Sequence, residues 1–286
     1  MLAHQFIVLS TIALVQCQKI VFDGRVPSTA TPADFDATTS LFDPNFVKGQ
    51  NVTFSSLVKL SGQTSLFDAA VKAQAIEVTI SDQSIFAPGG NNAQTAVRRA
   101  ELMPNPNRTG NNITTTGVKT LYFSIKGNSE RPLNISHEYL LVFLERGDFN
   151  GNQISLKTGT LIGSDGATKN QLVLLGNTKN GSKTLFTTPF SETDFVNFGL
   201  VMNFDKNTIQ VFSSTGNAAL KQQTQALPND LSGNGSFHFG VNKNPVNPGA
   251  DSLRSGIQES CIFEGVFYGS ILIEDSTNEL APLCSQ

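Results

Sequence analysis

Apolar and polar residues alternate along most of the chain. In 196–204 the apolar side chains fall on every second residue, which is typical of a strand with one buried face. Shorter stretches at 76–80, 120–125 and 236–242 show the same alternation. Helical spacing is nearly absent, and its best candidate is the short stretch 65–72. The pattern therefore predicts an all-β protein.

Two further stretches indicate how the strands are arranged. Residues 138–145 are apolar on both faces, which predicts a central strand, and 256–274 is the last long strand region. The Asp-Lys-Asn sequence at 205–207 is expected to form a hairpin turn. Strands separated by polar turns, without helices between them, predict two stacked antiparallel sheets. Because we find no internal repeat, linker or change of composition, residues 18–286 are predicted to form a single domain.

The first seventeen residues form a separate segment. Phe6 to Val15 is apolar except for Ser10 and Thr11, and the residues up to Cys17 resemble a signal-peptidase site. The apolar run is too short for a stable membrane anchor, which needs roughly 18 residues. We therefore predict that residues 1–17 are a secretory signal peptide. A buried N-terminal strand or helix is the alternative.

The composition supports an all-β, secreted protein. Of the 286 residues, 39% are hydrophobic, which is enough for a core. The 25 Asn, 26 Ser, 26 Thr and 24 Gly supply turns, and the 21 Phe favour strands. A net charge of −3 argues against non-specific binding of nucleic acid. We expect neither nucleic acid nor a membrane as a partner.

Removal of the signal peptide would leave two cysteines, Cys261 and Cys284. A secreted chain passes through an oxidising compartment, so we predict a disulfide between them, with two unpaired thiols as the alternative. The two remaining histidines, His137 and His238, are at no ligand-like spacing from these cysteines. A zinc site is therefore not expected, and we predict no bound metal.

Six Asn-X-Ser/Thr sequons are candidates for N-glycosylation. In a chain this rich in Asn, Ser and Thr, about four or five sequons are expected by chance, so their number alone does not indicate secretion. The candidate asparagines are Asn51, Asn107, Asn112, Asn134, Asn180 and Asn234.

A carboxylate beside an arginine is the first candidate for chemistry. Side chains two residues apart in a strand share a face, so Arg99 and Glu101 are expected to lie together. The guanidinium would hold the carboxylate charged and oriented. The alternative is an ordinary ion pair on an exposed strand, which contributes little to stability.

Glu138 is the second candidate. It opens the apolar strand, and a carboxyl group among apolar neighbours has a raised pKa that suits a general acid. A solvated residue at the mouth of the strand is the alternative. His137 lies on the opposite face of the strand, so we expect it to support the site from behind or from a loop.

Three further polar residues are candidates for binding. If 256–274 is a strand, Glu259 shares a face with Cys261, and Gln258 lies on the opposite face. His238 lies on the polar side of its strand and is a candidate ligand contact, although a surface histidine would show the same pattern. The chain contains no Gly-X-Ser-X-Gly elbow, P-loop or EF-hand loop.

Six short stretches occur in the order found in one known family. They are 21–27 (Val-Phe-Asp-Gly-Arg-Val-Pro), 97–102 (Val-Arg-Arg-Ala-Glu-Leu), 117–121 (Gly-Val-Lys-Thr-Leu), 133–139 (Leu-Asn-Ile-Ser-His-Glu-Tyr), 237–240 (Phe-His-Phe-Gly) and 256–260 (Gly-Ile-Gln-Glu-Ser). Together they resemble the catalytic domain of glycoside hydrolase family 131, which contains secreted fungal β-glucanases. The resemblance spans the whole predicted mature chain, and the shared order makes it specific.

The resemblance implies a β-jelly-roll sandwich of two antiparallel sheets with a groove on the concave sheet. It implies hydrolysis of β-1,3, β-1,6 or β-1,4 links in β-glucans, with inversion, by the carboxylates that match Glu101 and Glu138. The expected substrate-binding residues are Arg99, His137, His238, Gln258 and Glu259. We expect a secreted monomer that binds a β-glucan and needs no cofactor.

The residues also suggest how such a site would work. Glycoside hydrolysis needs a protonated acid and a charged carboxylate. Glu138, among apolar neighbours, fits the acid better, and Glu101, beside an arginine, fits the base better, although the reverse assignment stays open. Because the chain has no Trp, sugar rings would have to stack on Tyr122, Tyr139, Tyr268 or phenylalanines in loops.

A function of another class stays open at this point. The same sandwich could be a lectin-like, non-catalytic module that binds glucan, because a fold does not determine a function. The carboxylate pair distinguishes the two, since a hydrolase needs two carboxylates across its groove and a lectin does not. A structural cell-wall protein would show repeats or a lipid-anchor tail, and the sequence shows neither.

Overall fold

A computed structural model describes residues 19–110 and 112–277. Within them the chain forms two large antiparallel sheets that pack face to face. The all-β sandwich predicted from the sequence is therefore confirmed. The predicted signal peptide, residues 1–17, and Cys284 lie outside the described residues.

Strands account for nearly all of the regular structure. They are β1 (Lys19–Asp23), β2 (Val26–Pro27), β3 (Val58–Leu60), β4 (Ala73–Gln74), β5 (Ile76–Ser81), β6 (Arg98–Leu102), β7 (Val118–Gly127), β8 (Glu138–Arg146), β9 (Asn152–Gly159), β10 (Gln171–Leu175), β11 (Thr184–Pro189), β12 (Val196–Asn203), β13 (Thr208–Thr215), β14 (Lys221–Gln222), β15 (Leu227–Pro228), β16 (Gly235–Lys243) and β17 (Phe263–Asp275).

Helical structure is limited to single turns. The helix predicted at 65–72 contains only a 3-10 turn. The helical elements are α1 (Phe54–Leu57), α2 (Pro106–Thr109) and 3-10 turns at Pro32–Phe35, Ala69–Val71, Pro88–Gly90 and Thr178–Asn180. In the part of the chain described here, no helix is long and apolar enough to cross a membrane.

The two sheets differ in size. The nine-stranded sheet has the order β14-β13-β12-β7-β17-β5-β3, with β1 also paired to β17 and β15 to β13. The six-stranded sheet has the order β11-β10-β9-β8-β16-β6, and β2 pairs with β4 in a small ribbon. β8 and β16 are central strands of the six-stranded sheet, so each pairs with another strand along both of its edges. One face of each strand is covered by the core.

Phenylalanine rings join the two sheets in the core. Phe123 of β7 stacks on Phe198 of β12 with ring centroids 4.9 Å apart. The same Phe123 ring meets the edge of Phe239 of β16, in the other sheet, at 6.4 Å. All three side chains are fully buried, so they contribute both apolar burial and ring contacts to the packing of the sandwich.

The hairpin between β12 and β13 follows the sequence prediction. Asn203 pairs with Thr208, so the turn consists of residues 204–207 and includes Phe204 in addition to the expected 205–207. The Asn203 side chain accepts a hydrogen bond from the backbone N of Lys206 at 2.8 Å. Asn207 has a left-handed φ of 52°, which asparagine tolerates better than most residues.

The last strand is shorter than predicted. Residues 256–262 form a loop, and β17 begins only at Phe263. Cys261 has a left-handed φ of 63°, which is incompatible with an extended strand. The backbone N–H groups of Cys261 and Ile262 donate to the Asp82 carboxylate, at 2.8 and 3.2 Å, instead of to a neighbouring strand. The alternation assumed for this stretch was therefore wrong.

Candidate active site

Most candidate residues lie on the face of the six-stranded sheet that points away from the nine-stranded sheet; we call it the outer face. On β6, Ala100 belongs to the core, so its neighbours Arg99 and Glu101 point outward. Glu101 lies opposite Gly240 of β16. His238, two residues before Gly240, therefore shares the outer face with Glu101.

A β-bulge turns Glu138 to the same face. The register between β8 and β16 shifts between Phe239 and Asn242, and Leu141 and Val142 of β8 both lie in the core. After the bulge the even-numbered residues Val142 and Leu144 point into the core, whereas before it the odd-numbered residues Tyr139 and Leu141 do. Glu138 is even-numbered and lies before the bulge, so it points outward. Without the bulge Glu138 would point into the core, because a shift of one residue moves a side chain to the opposite face.

Contacts on both sides of the bulge hold it in place. A side chain at Gly240 would collide with the carbonyl oxygen of Ala100, so this position requires glycine. Tyr268, on β17 of the other sheet, donates its hydroxyl to the carbonyl oxygens of Gly240 at 2.6 Å and Leu141 at 3.1 Å. The bulge is therefore fixed by a contact across the core.

Glu101 is the centre of a buried ion cluster. The Arg99 guanidinium donates to both of its oxygens at 2.7 Å, and His238 Nδ1 lies 2.8 Å from Oε2. Burial alone would raise the pKa of Glu101, but the charge of Arg99 and the hydrogen bond with His238 lower it to about 2. Glu101 has no exposed surface, so the alternative of an ion pair on an exposed strand is wrong.

His238 is also buried, so it is not a surface histidine. Its ring stacks on Phe143 with centroids 4.3 Å apart. Nε2 lies 3.5 Å from Oε2 of Glu145 and makes no hydrogen bond with any described residue. Burial lowers the pKa of His238, but the carboxylates of Glu101 and Glu145 outweigh it, and the pKa is raised.

Glu145 is a further carboxylate of the site that was not predicted from the sequence. Its position could have indicated it, because Glu145 follows Phe143 by two residues on β8, and side chains two residues apart lie on the same face of a strand. Its side chain is about one-third exposed, at 29%, whereas Glu101 and His238 are enclosed. Glu145 therefore lies where the ion cluster meets solvent.

Glu138 does not have the apolar surroundings that the sequence predicted. It accepts hydrogen bonds from Lys157 Nζ at 2.8 Å, Asn244 Nδ2 at 2.8 Å and the backbone N of Ile162 at 3.0 Å. Of its apolar neighbours on β8, Tyr139 points into the core, whereas Leu140 shares the outer face with Glu138. The alternative of a solvated residue is also wrong, since Glu138 is only 5% exposed.

His137 supports Glu138 from behind, through Asn244. His137 Nδ1 lies 2.8 Å from the carbonyl oxygen of Asn244, and the Asn244 side chain reaches Glu138. The other ring nitrogen, Nε2, lies 3.0 Å from Oε2 of Glu259. His137 thus has both nitrogens occupied by protein groups, so it orients neighbours and does not face a ligand directly.

Glu259 and Gln258 lie in the loop before β17 and not on a strand. Glu259 accepts hydrogen bonds from Lys243 and from Asn134 Nδ2, the latter at 2.7 Å. Burial raises the pKa of Glu259, but these donors and the charge of Lys243 outweigh burial and lower it. Gln258 Nε2 donates to the carbonyl oxygen of Ala96 at 3.0 Å, and its Oε1 is buried without a partner among the described residues.

The tyrosines cannot serve as platforms for sugar rings. Tyr122, Tyr139 and Tyr268 are fully buried in the sandwich, so the expectation that they stack on substrate was wrong. Their hydroxyls donate to buried acceptors instead, as buried tyrosines usually do. Among the described aromatic residues, Phe149 and Phe263 are the most exposed, at 79% and 52%.

Glu101 and Glu138 lie on strands separated by β16. Glu101 is opposite Gly240, and Glu138 is bound by Asn244, four residues further along the same strand. Four residues of strand span at most about 13 Å. The two carboxylates are therefore offset along the outer face as well as separated across it.

Other features of the chain lie away from this cluster. Cavities of about 360 and 410 Å³ occur elsewhere, the first beside Phe35 and the second around Glu77, Lys126 and Arg131 of the nine-stranded sheet. Across residues 19–110 and 112–277, no group of three or more His, Cys, Asp or Glu residues could hold a metal ion. The six sequon asparagines are all exposed, as is Cys261.

The fold and this site describe a two-sheet β-sandwich with a cluster of carboxylates on one outer face. The profile of the glycoside hydrolase 131 catalytic N-terminal domain matches residues 20–279, and the chain therefore belongs to this family. No curated protein sequence matches the chain. The family resemblance found in the six sequence stretches is confirmed.

Two solved structures have the same fold over nearly their whole length. The GH131 β-glucanase catalytic domain from Podospora anserina is 20% identical, with a TM-score of 0.72, and the match covers 94% of this chain and 98% of that one. The catalytic domain of the family 131 protein from Coprinopsis cinerea is 21% identical, with a TM-score of 0.69, covering 94% and 97%. At these identities the likeness establishes the fold.

Proposed function

We propose that this protein hydrolyses β-glucans and that Glu101 and Glu138 are its catalytic carboxylates. The observation that carries the proposal is that both carboxylates point to one outer face of the six-stranded sheet in a member of a hydrolase family. Burying a carboxylate costs folding free energy unless the carboxylate is paired. This protein nevertheless buries two of them on one face of the same sheet. The substrate class is suggested by the Podospora anserina relative, which is described as a β-glucanase.

The low pKa of Glu101 is the observation that favours a division of roles, because it leaves the role of the acid to Glu138. With a pKa of about 2, Glu101 is charged at neutral and mildly acidic pH and cannot donate the proton. In this proposal substrate binding opens Glu101 to the attacking water, from which it accepts a proton, and Glu138 donates one to the leaving glycosidic oxygen. Water adds to the anomeric carbon as the glycosidic bond breaks, and both carboxyl groups return to their starting states by exchange with solvent.

The offset along β16 favours inversion. Retaining enzymes hold their carboxylates about 5–5.5 Å apart, and inverting enzymes about 6.5–9.5 Å, which leaves room for the water. Glu101 and Glu138 are separated by a whole strand and by up to about 13 Å along it at the backbone, which is too wide for a retaining pair. We therefore propose the inverting mechanism, in which the two side chains must approach each other across the bound sugar. The linkage that is cleaved, β-1,3, β-1,6 or β-1,4, depends on substrate contacts beyond these two residues.

One observation favours a second function, a non-catalytic β-glucan-binding module. The oxygens of both Glu101 and Glu138 already accept hydrogen bonds from protein donors. A binding protein could use such fixed carboxylates to orient sugar hydroxyls without any bond cleavage. The two functions differ in their products, because only the hydrolase releases new reducing ends.

The experiment compares the products released from laminarin, pustulan and a soluble β-1,4-glucan by the wild type, Glu101→Gln and Glu138→Gln. The hydrolase proposal predicts release by the wild type and a loss of at least about 100-fold in each variant, with the fold intact. Glu77→Gln is a matched control, because Glu77 is also a buried strand carboxylate clamped by an arginine, Arg131, at 2.6 and 2.8 Å. It should keep wild-type activity.

Each other result has a clear meaning. If the wild type binds but does not degrade any of the three glucans, the binding module is the better description. If both variants keep near-normal activity, the chemistry lies elsewhere on the chain. In that case Glu259 and Glu145 are the next carboxylates to test.

We also propose that the protein is a secreted monomer. The sequence of residues 1–17 supports secretion, and the exposed sequons are compatible with glycosylation in that pathway. Secretion in turn supports a disulfide between Cys261 and Cys284, which would close a loop of about 22 residues and add roughly 3 kcal/mol of stability. Two free thiols in the purified, denatured protein would contradict this pairing.

A further inference from the structure

Asn242 is a buried residue whose amide oxygen has no hydrogen-bond partner among the described residues. The residue is 8% exposed, and its Oδ1 is buried and accepts no hydrogen bond from any described residue. Leaving a buried polar atom unpaired costs free energy, so nearly all such atoms in folded proteins find a partner. The amide oxygen of Asn242 therefore has an unused hydrogen-bonding position.

The neighbours of Asn242 explain why its amide is unpaired. Arg99 lies opposite it on β6 but directs its donors to Glu101 and Gln94. Leu140 lies opposite it on β8 and has no polar atom to offer. Asn242 thus stands on the outer face between an arginine that is already occupied and an apolar side chain.

The position of Asn242 relates it to both proposed catalytic carboxylates. It is two residues from Gly240, which lies opposite Glu101, and two residues from Asn244, which binds Glu138. Each of these steps spans about 7 Å along the strand. Any sugar unit that reaches from one carboxylate to the other must pass over Asn242.

We propose that Asn242 is a substrate-binding residue whose amide oxygen accepts a hydrogen bond from a hydroxyl of the glucosyl unit between Glu101 and Glu138. The proposal rests on the proposed function of the two carboxylates. A neutral amide suits this position because it recognises a hydroxyl without adding charge beside Arg99. Because Oδ1 is buried in the free protein, the amide must rotate toward the outer face when the sugar binds.

The test compares Asn242→Ala with Asn217→Ala, an exposed asparagine after β13 on the other sheet. On whichever of laminarin, pustulan and the soluble β-1,4-glucan the wild type degrades, Asn242→Ala should lower kcat/KM about tenfold, mainly through KM. In the Glu101→Gln background, oligosaccharides of the same glucan should bind about tenfold more weakly by calorimetry. Asn217→Ala should change neither quantity.

A stability measurement separates a binding role from a structural one. Because the amide oxygen is unpaired, Asn242→Ala should leave Tm unchanged or higher, and Asn242→Leu, which keeps the branching of the side chain, should do the same while losing affinity. A fall of several degrees in both variants with unchanged KM would overturn the proposal.

The experiments can refute the role of Asn242 and the roles of the two carboxylates separately. If Glu101→Gln and Glu138→Gln are inactive but Asn242→Ala keeps kcat/KM and oligosaccharide affinity within twofold of wild type, this inference fails and the proposed function stands. If the two glutamine variants stay active, the proposed function fails, and calorimetry still decides whether Asn242 contacts the sugar.

Discussion

At the residue scale, Glu101 and His238 couple the stability of the fold to pH. Folding lowers the pKa of Glu101 from 4.5 to about 2. Its contribution to the free energy of unfolding is therefore present above pH 4.5 and is lost as the pH falls toward 2. Folding raises the pKa of His238, so its contribution is complete below 6.5 and is lost as the pH rises through the raised value. The two effects together predict maximal stability between about pH 4.5 and 6.5.

Thermal unfolding between pH 2 and 9 measures this dependence. The shift of Glu101 corresponds to on the order of 3 kcal/mol of unfolding free energy between pH 4.5 and 2. Glu101→Gln should flatten the acid limb of the Tm profile, and His238→Gln should flatten the alkaline limb. Identical slopes in wild type and variants would show that other groups set the pH dependence.

Arg99 is predicted to stabilise the fold as well as the site. Arg99→Ala leaves Glu101 buried without its main partner, which costs about 3–5 kcal/mol in comparable cases. Arg25→Ala is the control, because Arg25 also binds a carboxylate two residues away, but Asp23 is 46% exposed and such pairs contribute less than about 1 kcal/mol. Equal losses of stability in urea unfolding would contradict the account of a buried charge cluster.

Strand alternation was sufficient to predict that Arg99 and Glu101 lie together, because both residues are on one regular strand. It could not predict the surroundings of Glu138. Lys157 and Ile162 reach Glu138 from a different strand and from a loop, at separations of 19 and 24 residues. Contacts of this kind depend on the order of strands in the sheet, which local patterns do not encode.

At the element scale, the bulge between β8 and β16 is the feature that brings the two carboxylates to one face. Residues 138–145 are apolar at almost every position, so the sequence shows no interruption where the alternation reverses. Gly240 was the available signal, since glycine inside a strand often marks a bulge. The loop at 256–262 escaped prediction because Cys261, which has a positive φ near the start of β17, is not a glycine, and Gly256, which also has a positive φ, lies at the far end of the loop.

Removing the contact that holds the bulge should affect both stability and activity. Tyr268→Phe deprives the carbonyl groups of Leu141 and Gly240 of their buried donor, which should cost about 1–3 kcal/mol. Because the bulge orients Glu138, we expect kcat to fall as well.

Tyr122→Phe is the matched control, since Tyr122 is equally buried and donates to Glu274 at 3.0 Å in the nine-stranded sheet. It should lower Tm but keep kcat. A Tyr268→Phe enzyme with wild-type kcat would show that the bulge does not depend on this hydroxyl.

At the scale of the whole molecule, the alternating pattern and polar turns were enough to predict a sandwich of antiparallel sheets. They could not predict that β16 inserts between β6 and β8, because these strands are far apart in the sequence. The tyrosines were misassigned to the sugar site for the same reason. Tyr139 and Tyr268 are buried between the sheets and Tyr122 is buried under Phe67, and composition alone reveals neither kind of packing.

The N-terminal strand leads to a prediction about processing. β1 begins at Lys19 and pairs with the end of β17, where Lys19 lies opposite Asp275. Cleavage after Cys17 would leave this strand intact, so we expect the secreted protein to begin at Gln18 in N-terminal sequencing. Secreted material that retains Met1 would contradict the prediction of a signal peptide.

The most direct test of the central claim is the anomeric configuration of the first product, followed by ¹H NMR while the enzyme degrades a soluble β-glucan. A widely spaced pair formed by Glu101 and Glu138 predicts inversion, so the new reducing end should appear first as the α-anomer. Early accumulation of the β-anomer would contradict the assigned pair and its spacing. The absence of any new reducing end would contradict the hydrolase itself.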